Sequence, residues 1–157
     1  MKSTLLILTL LAPAAVFAAG DTNSPAMPST PRDPVLEKVS AATAQKDWSG
    51  AQAVLKDALQ KQPRNADYHN MYAYTIRKGA NPDMNLVFKH YNEALALNPQ
   101  HRGAHEYIGE AYLMVGNVVK AKEHLAQLDK ICFFPCTEFT DLKSAIAAHE
   151  TKTVSKQ

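Results

Sequence analysis

Charge of one sign is what this 157-residue chain most clearly lacks: seventeen lysines and arginines stand against fifteen aspartates and glutamates, a formal charge of +2. So close a balance excludes the phosphate-neutralising surface on which nucleic-acid binding depends. Glycine is scarce, with six in all, and never gathers into a phosphate-cradling loop. No nucleophile stands beside a base, and no carboxylates pair at a catalytic spacing. These absences predict a protein that is not an enzyme and carries no cofactor and no metal. Long apolar runs are missing after the first eighteen residues, which leaves no candidate for stable membrane insertion in the rest of the chain. The 46% of apolar residues suits one globular domain.

The two ends read differently from the middle. Lys2 opens the chain, Leu5–Leu11 is apolar, and Val16, Phe17 and Ala18 offer small residues for cleavage, so residues 1–18 are expected to be a cleaved signal peptide. No cysteine follows the expected cut, which argues against a lipid anchor. The expected product is periplasmic or secreted. Residues 19–33 are rich in proline and poor in large apolar side chains, and they predict a flexible leader. Residues 150–157 are expected to form a disordered tail.

The middle repeats. Ala51, Leu55, Ala58, Leu59 and Pro63 share their spacing with Val87, Tyr91, Ala94, Leu95 and Pro99, 36 positions on. Ala121, Leu125 and Leu128 follow after a further 34, without a proline at the end. Small residues at such positions let two helices approach, larger ones fill the space between units, and proline stops the second helix. The pattern predicts helices near 34–45, 48–61, 66–78, 82–97, 102–115 and 118–131, with Asn81 capping the fourth and Pro82 in its first turn. A seventh near 137–149 would place Phe139, Leu142, Ala145 and Ile146 on one face.

In Gly103–Ala126 the residues Ile108, Gly109, Tyr112, Gly116 and Ala121 fall as they do in a tetratricopeptide repeat, and the period agrees. Over roughly residues 32–149 the chain resembles that family. The resemblance implies an all-α fold, an α-α superhelix of about three helical hairpins (about 32–65, 66–101 and 102–135) with a C-terminal capping helix at 137–149. It implies a concave groove that holds a protein or peptide partner. A helical bundle without repeat symmetry is the alternative. Six side chains fall at groove positions: Asn70, Tyr74, Arg77 and Lys78 on the third helix, Glu106 and Glu110 on the fifth. The leading function is therefore a non-enzymatic exported adaptor. A structural oligomerisation module is a further reading.

Cys132 and Cys136 flank Phe133-Phe134-Pro135. In an exported chain such a pair is expected to form a disulfide that fixes the angle of the cap. The competing reading is a thiol-redox or soft-metal accessory protein that uses the same two residues, with Cu(I) as one such metal. The segment from Leu128 to Cys136 and that from Asp141 to Ile146 resemble the tail of a group of exported bacterial repeat proteins, which implies no assigned catalytic activity. His101 and His105 lie four apart, but His101 is expected in a turn. His69, His90, His124 and His149 show no spacing that predicts a site.

Overall fold

The computed structural model describes residues 33–154. The expected signal peptide and leader residues 19–32 lie outside the described residues. The described chain is all-helical, with α1 Pro34–Ala44, α2 Trp48–Lys61, α3 Ala66–Lys78, α4 Met84–Leu97, α5 Arg102–Met114, α6 Val118–Ile131 and α7 Thr137–Val154.

Local chemistry starts each helix. A backbone N–H in the first turn has no partner within the helix, and a short polar side chain just outside can supply one. Asp33, Asp47, Asn65, Asp83, His101 and Asn117 do so for α1 to α6. Asp33 was expected in the flexible leader. Instead its carboxylate accepts from Val35 N and Leu36 N, and from the Tyr68 hydroxyl at 2.8 Å. Those bonds, the Tyr68 hydroxyl first, hold the Asp33 carboxyl below its ordinary range. The cap expected at Asn81 is a second correction. Asp83 takes that place, accepting from Asn85 N and Leu86 N, and α4 begins at Met84. Asn81 precedes a proline, which disfavours the helical region there.

Packing then follows the repeat. One core gathers Val39, Ala51, Leu55, Ala58 and Tyr68, from α1, α2 and α3. The next gathers Ala73, Ile76, Val87, Tyr91, Ile108 and Ala111, from α3, α4 and α5. The third gathers Leu113, Ala121, Leu128, Leu142 and Ile146, from α5, α6 and α7. Each core thus joins a hairpin to the odd-numbered helix that follows. Ala51, Val87 and Ala121 are fully buried at equivalent positions. Along the stack α1 approaches α3, α3 approaches α5 and α5 approaches α7 with Cα atoms within 8 Å, an approach that α2, α4 and α6 do not make to one another among the described residues. The odd helices therefore form the tighter side.

At the C-terminal end α7 closes the third hairpin. A Cβ on Gly109 would lie 2.6 Å from Leu142 Cδ2, so the missing side chain is what admits Leu142. Cys132 caps α6, and the Cys136 carbonyl receives the first helical bond of α7 from Thr140 N. Their sulfurs sit at bonding distance, 2.09 Å, with Cα atoms 5.8 Å apart. Of the expected disordered tail, residues 150–154 are helical instead: α7 runs to Val154, and Lys122 pairs with Glu150 at 2.7 Å, while 155–157 lie outside the described residues. No glycine or proline interrupts the sequence there, so the helix continues.

Two predictions concern this packing. Gly109→Leu should push α7 off α5 and cost about 1–3 kcal/mol as an overpacked contact. A urea midpoint equal to wild type would contradict that reading of the α5–α7 contact. The α1–α2 and α5–α6 turns both use the left-handed region, at Lys46 (φ 58°) and Gly116 (φ 77°). Only the second has the residue suited to it, so Lys46→Gly should raise stability by up to about 1 kcal/mol, read in the same titration.

Candidate binding face

Helical spacing brings Asn70, Tyr74 and Arg77 onto one side of α3, against α5. Their environments differ. Asn70, Arg77 and Glu106 are buried, Tyr74 and Glu110 are half-buried, and Lys78 is exposed and joins none of the contacts described next.

Arg77 is the hub. Its Nε donates to the Tyr91 hydroxyl at 3.3 Å, and its Nη2 lies 2.6 Å from Glu110 Oε2. That approach is an ion pair in distance, although off the hydrogen-bonding direction. The guanidinium carbon stands 5.7 Å from the ring centres of both Tyr74 and Tyr107. Burial opposes its charge, yet Tyr91 and Glu110 together hold its proton more firmly than usual. The open anchor expected at Arg77 is instead a buried side chain that faces Tyr91 and Glu110 within the fold, with its Nη2 left without a hydrogen bond.

Aromatic rings continue outward from this hub. Tyr74 and Tyr107 lie 4.9 Å apart, and Trp48 meets Tyr74 edge-on at 6.1 Å. A row of Trp48, Tyr74 and Tyr107 thus spans α2, α3 and α5. Trp48 and Tyr107 were not among the expected residues. The single tryptophan at the first position of α2 was the available signal.

Beyond Tyr107 the face turns acidic. Glu106 is 8% exposed, and its carboxyl is pushed up to about 8, by burial first and then by Glu110, Asp141 and Glu138. Tyr107 is pushed up to about 12, by burial and then by Glu106. Across the α3–α5 seam Asn70 is 5% exposed, and its Oδ1 has no hydrogen-bond partner among the described residues.

The histidines form a second pattern. His69 Nε2 lies 2.9 Å from the Pro63 carbonyl, which can only accept, so that nitrogen carries a proton. His69 Nδ1 then meets His90 Nδ1 at 2.8 Å. In the neutral pair His69 accepts there and His90 donates. His105, the Pro99 carbonyl and His124 repeat this arrangement at 3.0 Å and 3.0 Å. His69 to His105 and Pro63 to Pro99 are each 36 positions, and His90 to His124 is 34, so the repeat steps themselves held the signal. His101 is the cap of α5, accepting from Ala104 N and contacting Asp67 through Nε2 at 3.1 Å. It does not join His105 in a site.

No family model matches the chain, and no curated protein matches it.

These ionisations predict an uneven pH profile. His90 and His124 are each pushed down to about 4, by burial first and then by the paired histidine. Between there and the ordinary 6.5 the unfolded chain holds more protons, so their contribution is full above that window and is lost on acidification. Glu106 acts in the opposite sense. Its folded form keeps a proton that the unfolded chain releases near 4.5, so its contribution is lost as pH rises through about 8. From pH 6.5 to 8 the histidine contribution is flat, and stability should decline through Glu106. Glu106→Gln should abolish that decline in urea midpoints, and an unchanged slope would contradict the assignment.

Proposed function

We propose that this chain is an exported adaptor of tetratricopeptide type, a superhelix of three hairpins and a cap, which holds an extended peptide segment on its odd-helix face. The observation that carries the reading is the aromatic pair of Tyr74 and Tyr107 on the odd helices, joined by Trp48 from the start of α2, half-open to solvent on the α3–α5 seam that also holds the buried Asn70. Tyrosine and tryptophan bring large, rigid contact area with a polar tip, and are enriched where binding energy concentrates. A neighbouring amide can meet the main chain of an extended segment. The helical repeat, the leader read as a signal peptide and the lack of any catalytic arrangement in the sequence agree with a binding role.

The test is selection of random octapeptides displayed on phage against the purified chain, followed by titration of the enriched sequences. Tyr74→Ala and Tyr107→Ala should each weaken binding about tenfold or more, since truncating an interface anchor costs roughly 1–2 kcal/mol. Lys56→Ala on α2 should leave affinity unchanged. Failure to enrich any peptide, or binding that depends on Lys56 and not on the tyrosines, would reject the face. Arg77→Ala is a stability probe instead. It leaves the Tyr91 hydroxyl and Glu110 without their partner and should cost about 1–3 kcal/mol.

A further inference from the structure

We propose that each of the two histidine pairs, His69 with His90 and His105 with His124, is a site for Cu(I), a soft monovalent ion held in line between two imidazole Nδ1 atoms. The proposal is independent of the peptide groove.

The rings of each pair meet head to head. In the first pair the Nδ1 atoms lie 2.8 Å apart and the ring centres 5.1 Å apart. That centre distance is the nitrogen separation plus one ring radius on either side. The two nitrogens therefore lie on the line that joins the rings, and the in-plane lone-pair direction of each is aimed at the other. The second pair repeats the arrangement, with Nδ1 atoms 3.0 Å and ring centres 5.2 Å apart. The planes differ by 26° in one pair and 45° in the other, a twist about the shared line that leaves both directions on it.

One ring of each pair is already held as a ligand would be. His69 Nε2 lies 2.9 Å from the Pro63 carbonyl, and His105 Nε2 lies 3.0 Å from that of Pro99. A carbonyl only accepts, so Nε2 carries the proton and Nδ1 keeps its lone pair. Metal-binding histidines are commonly fixed in tautomer and orientation by such an acceptor on the far nitrogen. The second ring is the one that can move: His90 and His124 are half-exposed, whereas His69 and His105 are buried.

Bond lengths say how far it must move. Imidazole–metal bonds of about 2 Å put in-line nitrogens about 4 Å apart, roughly 1 Å wider than the present pairs. An outward swing of the half-exposed ring supplies that opening. Two N–Cu bonds then replace one N–H···N hydrogen bond. The proton on Nδ1 of His90 or His124 passes to its own Nε2, and no electron moves. Burial keeps both of these rings neutral down to about 4, so near neutral pH no added proton competes with the ion for them.

The number of donors selects the ion. Among the described residues no three histidine, cysteine, aspartate or glutamate side chains gather closely enough to hold a metal. Zinc asks for a tetrahedral set of ligands and Cu(II) for a tetragonal one, and two nitrogens in line supply neither. A filled-shell ion of single charge is satisfied by two donors in line, and imidazole suits copper. The two cysteines of the chain are joined to each other, so no thiolate competes.

The experiment titrates the untagged, disulfide-bonded chain with Cu(I) under anaerobic conditions, against a chromogenic Cu(I) chelator. The chain should retain one ion per pair. His90→Phe should remove one ion, His124→Phe the other, and the double variant both, with circular dichroism and melting used to show that each is folded. A second measurement needs no variant. Nitrogen NMR of labelled histidines in the wild-type chain, with Ag(I) as a redox-inert probe of the same charge and in-line preference, should shift Nδ1 of all four rings and leave Nε2 of His69 and His105 protonated. No retained copper, copper retained by the folded double variant, Ag(I) shifts confined to His101 and His149, or Zn(II) retained as firmly as Cu(I) would each overturn the assignment. None of these outcomes bears on peptide selection by the groove.

Discussion

A guanidinium taken out of water must be answered where it lies, and the answer to Arg77 organises the middle of this stack. Three successive helices contribute to it: α3 the arginine, α4 the Tyr91 hydroxyl and α5 the Glu110 carboxylate. Such a pair adds little net stability, because desolvation offsets most of the attraction. It does restrict geometry. The ion pair fixes how α3 faces α5, and the rings of Tyr74 and Tyr107 flank the same guanidinium. The pair of Tyr74 and Tyr107 is thus gathered about this contact.

The paired histidines solve a related problem. Where an even-numbered helix ends, the chain must meet the next odd helix with polar groups that leave no orphan. The carbonyls of Pro63 and Pro99, just past the ends of α2 and α4, accept from a histidine ring. His69 and His105 supply that donor and pass their second nitrogen to His90 and His124. Tyr72 stands edge-on to His90, and Tyr112 stacks on His124. One polar device is thus used twice, at the spacing of the apolar repeat.

Much of the fold was legible because spacing and breakers act locally. The expected α2, α3 and α6 have the observed ends, and Phe139, Leu142, Ala145 and Ile146 join the third core as their shared face required. The misses were contests between neighbours. Asn81 and Asp83 are both good caps, and only the chain path over Pro82 chose between them. The site was less legible. A helical position tells which face a residue occupies and not what crosses to meet it. Arg77 looked like an open anchor because Glu110 and Tyr91 lie 33 and 14 positions away. The raised range of Glu106 comes from burial first, then from Glu110, and then from Asp141 and Glu138 on α7, whose approach no local pattern announces.

That docking has a consequence for modularity. In a stack of like hairpins nothing inherent to one unit says where to stop, since each presents to the next the surface it received. Here the odd-helix flank of the last hairpin is taken by a single helix, seated by one leucine over one glycine and joined to its predecessor through Cys132 and Cys136. The number of units is therefore written in α7. A designer who wished to lengthen this array would graft new hairpins between α6 and the cysteine pair, carrying the Gly109 and Leu142 positions outward with the terminal unit.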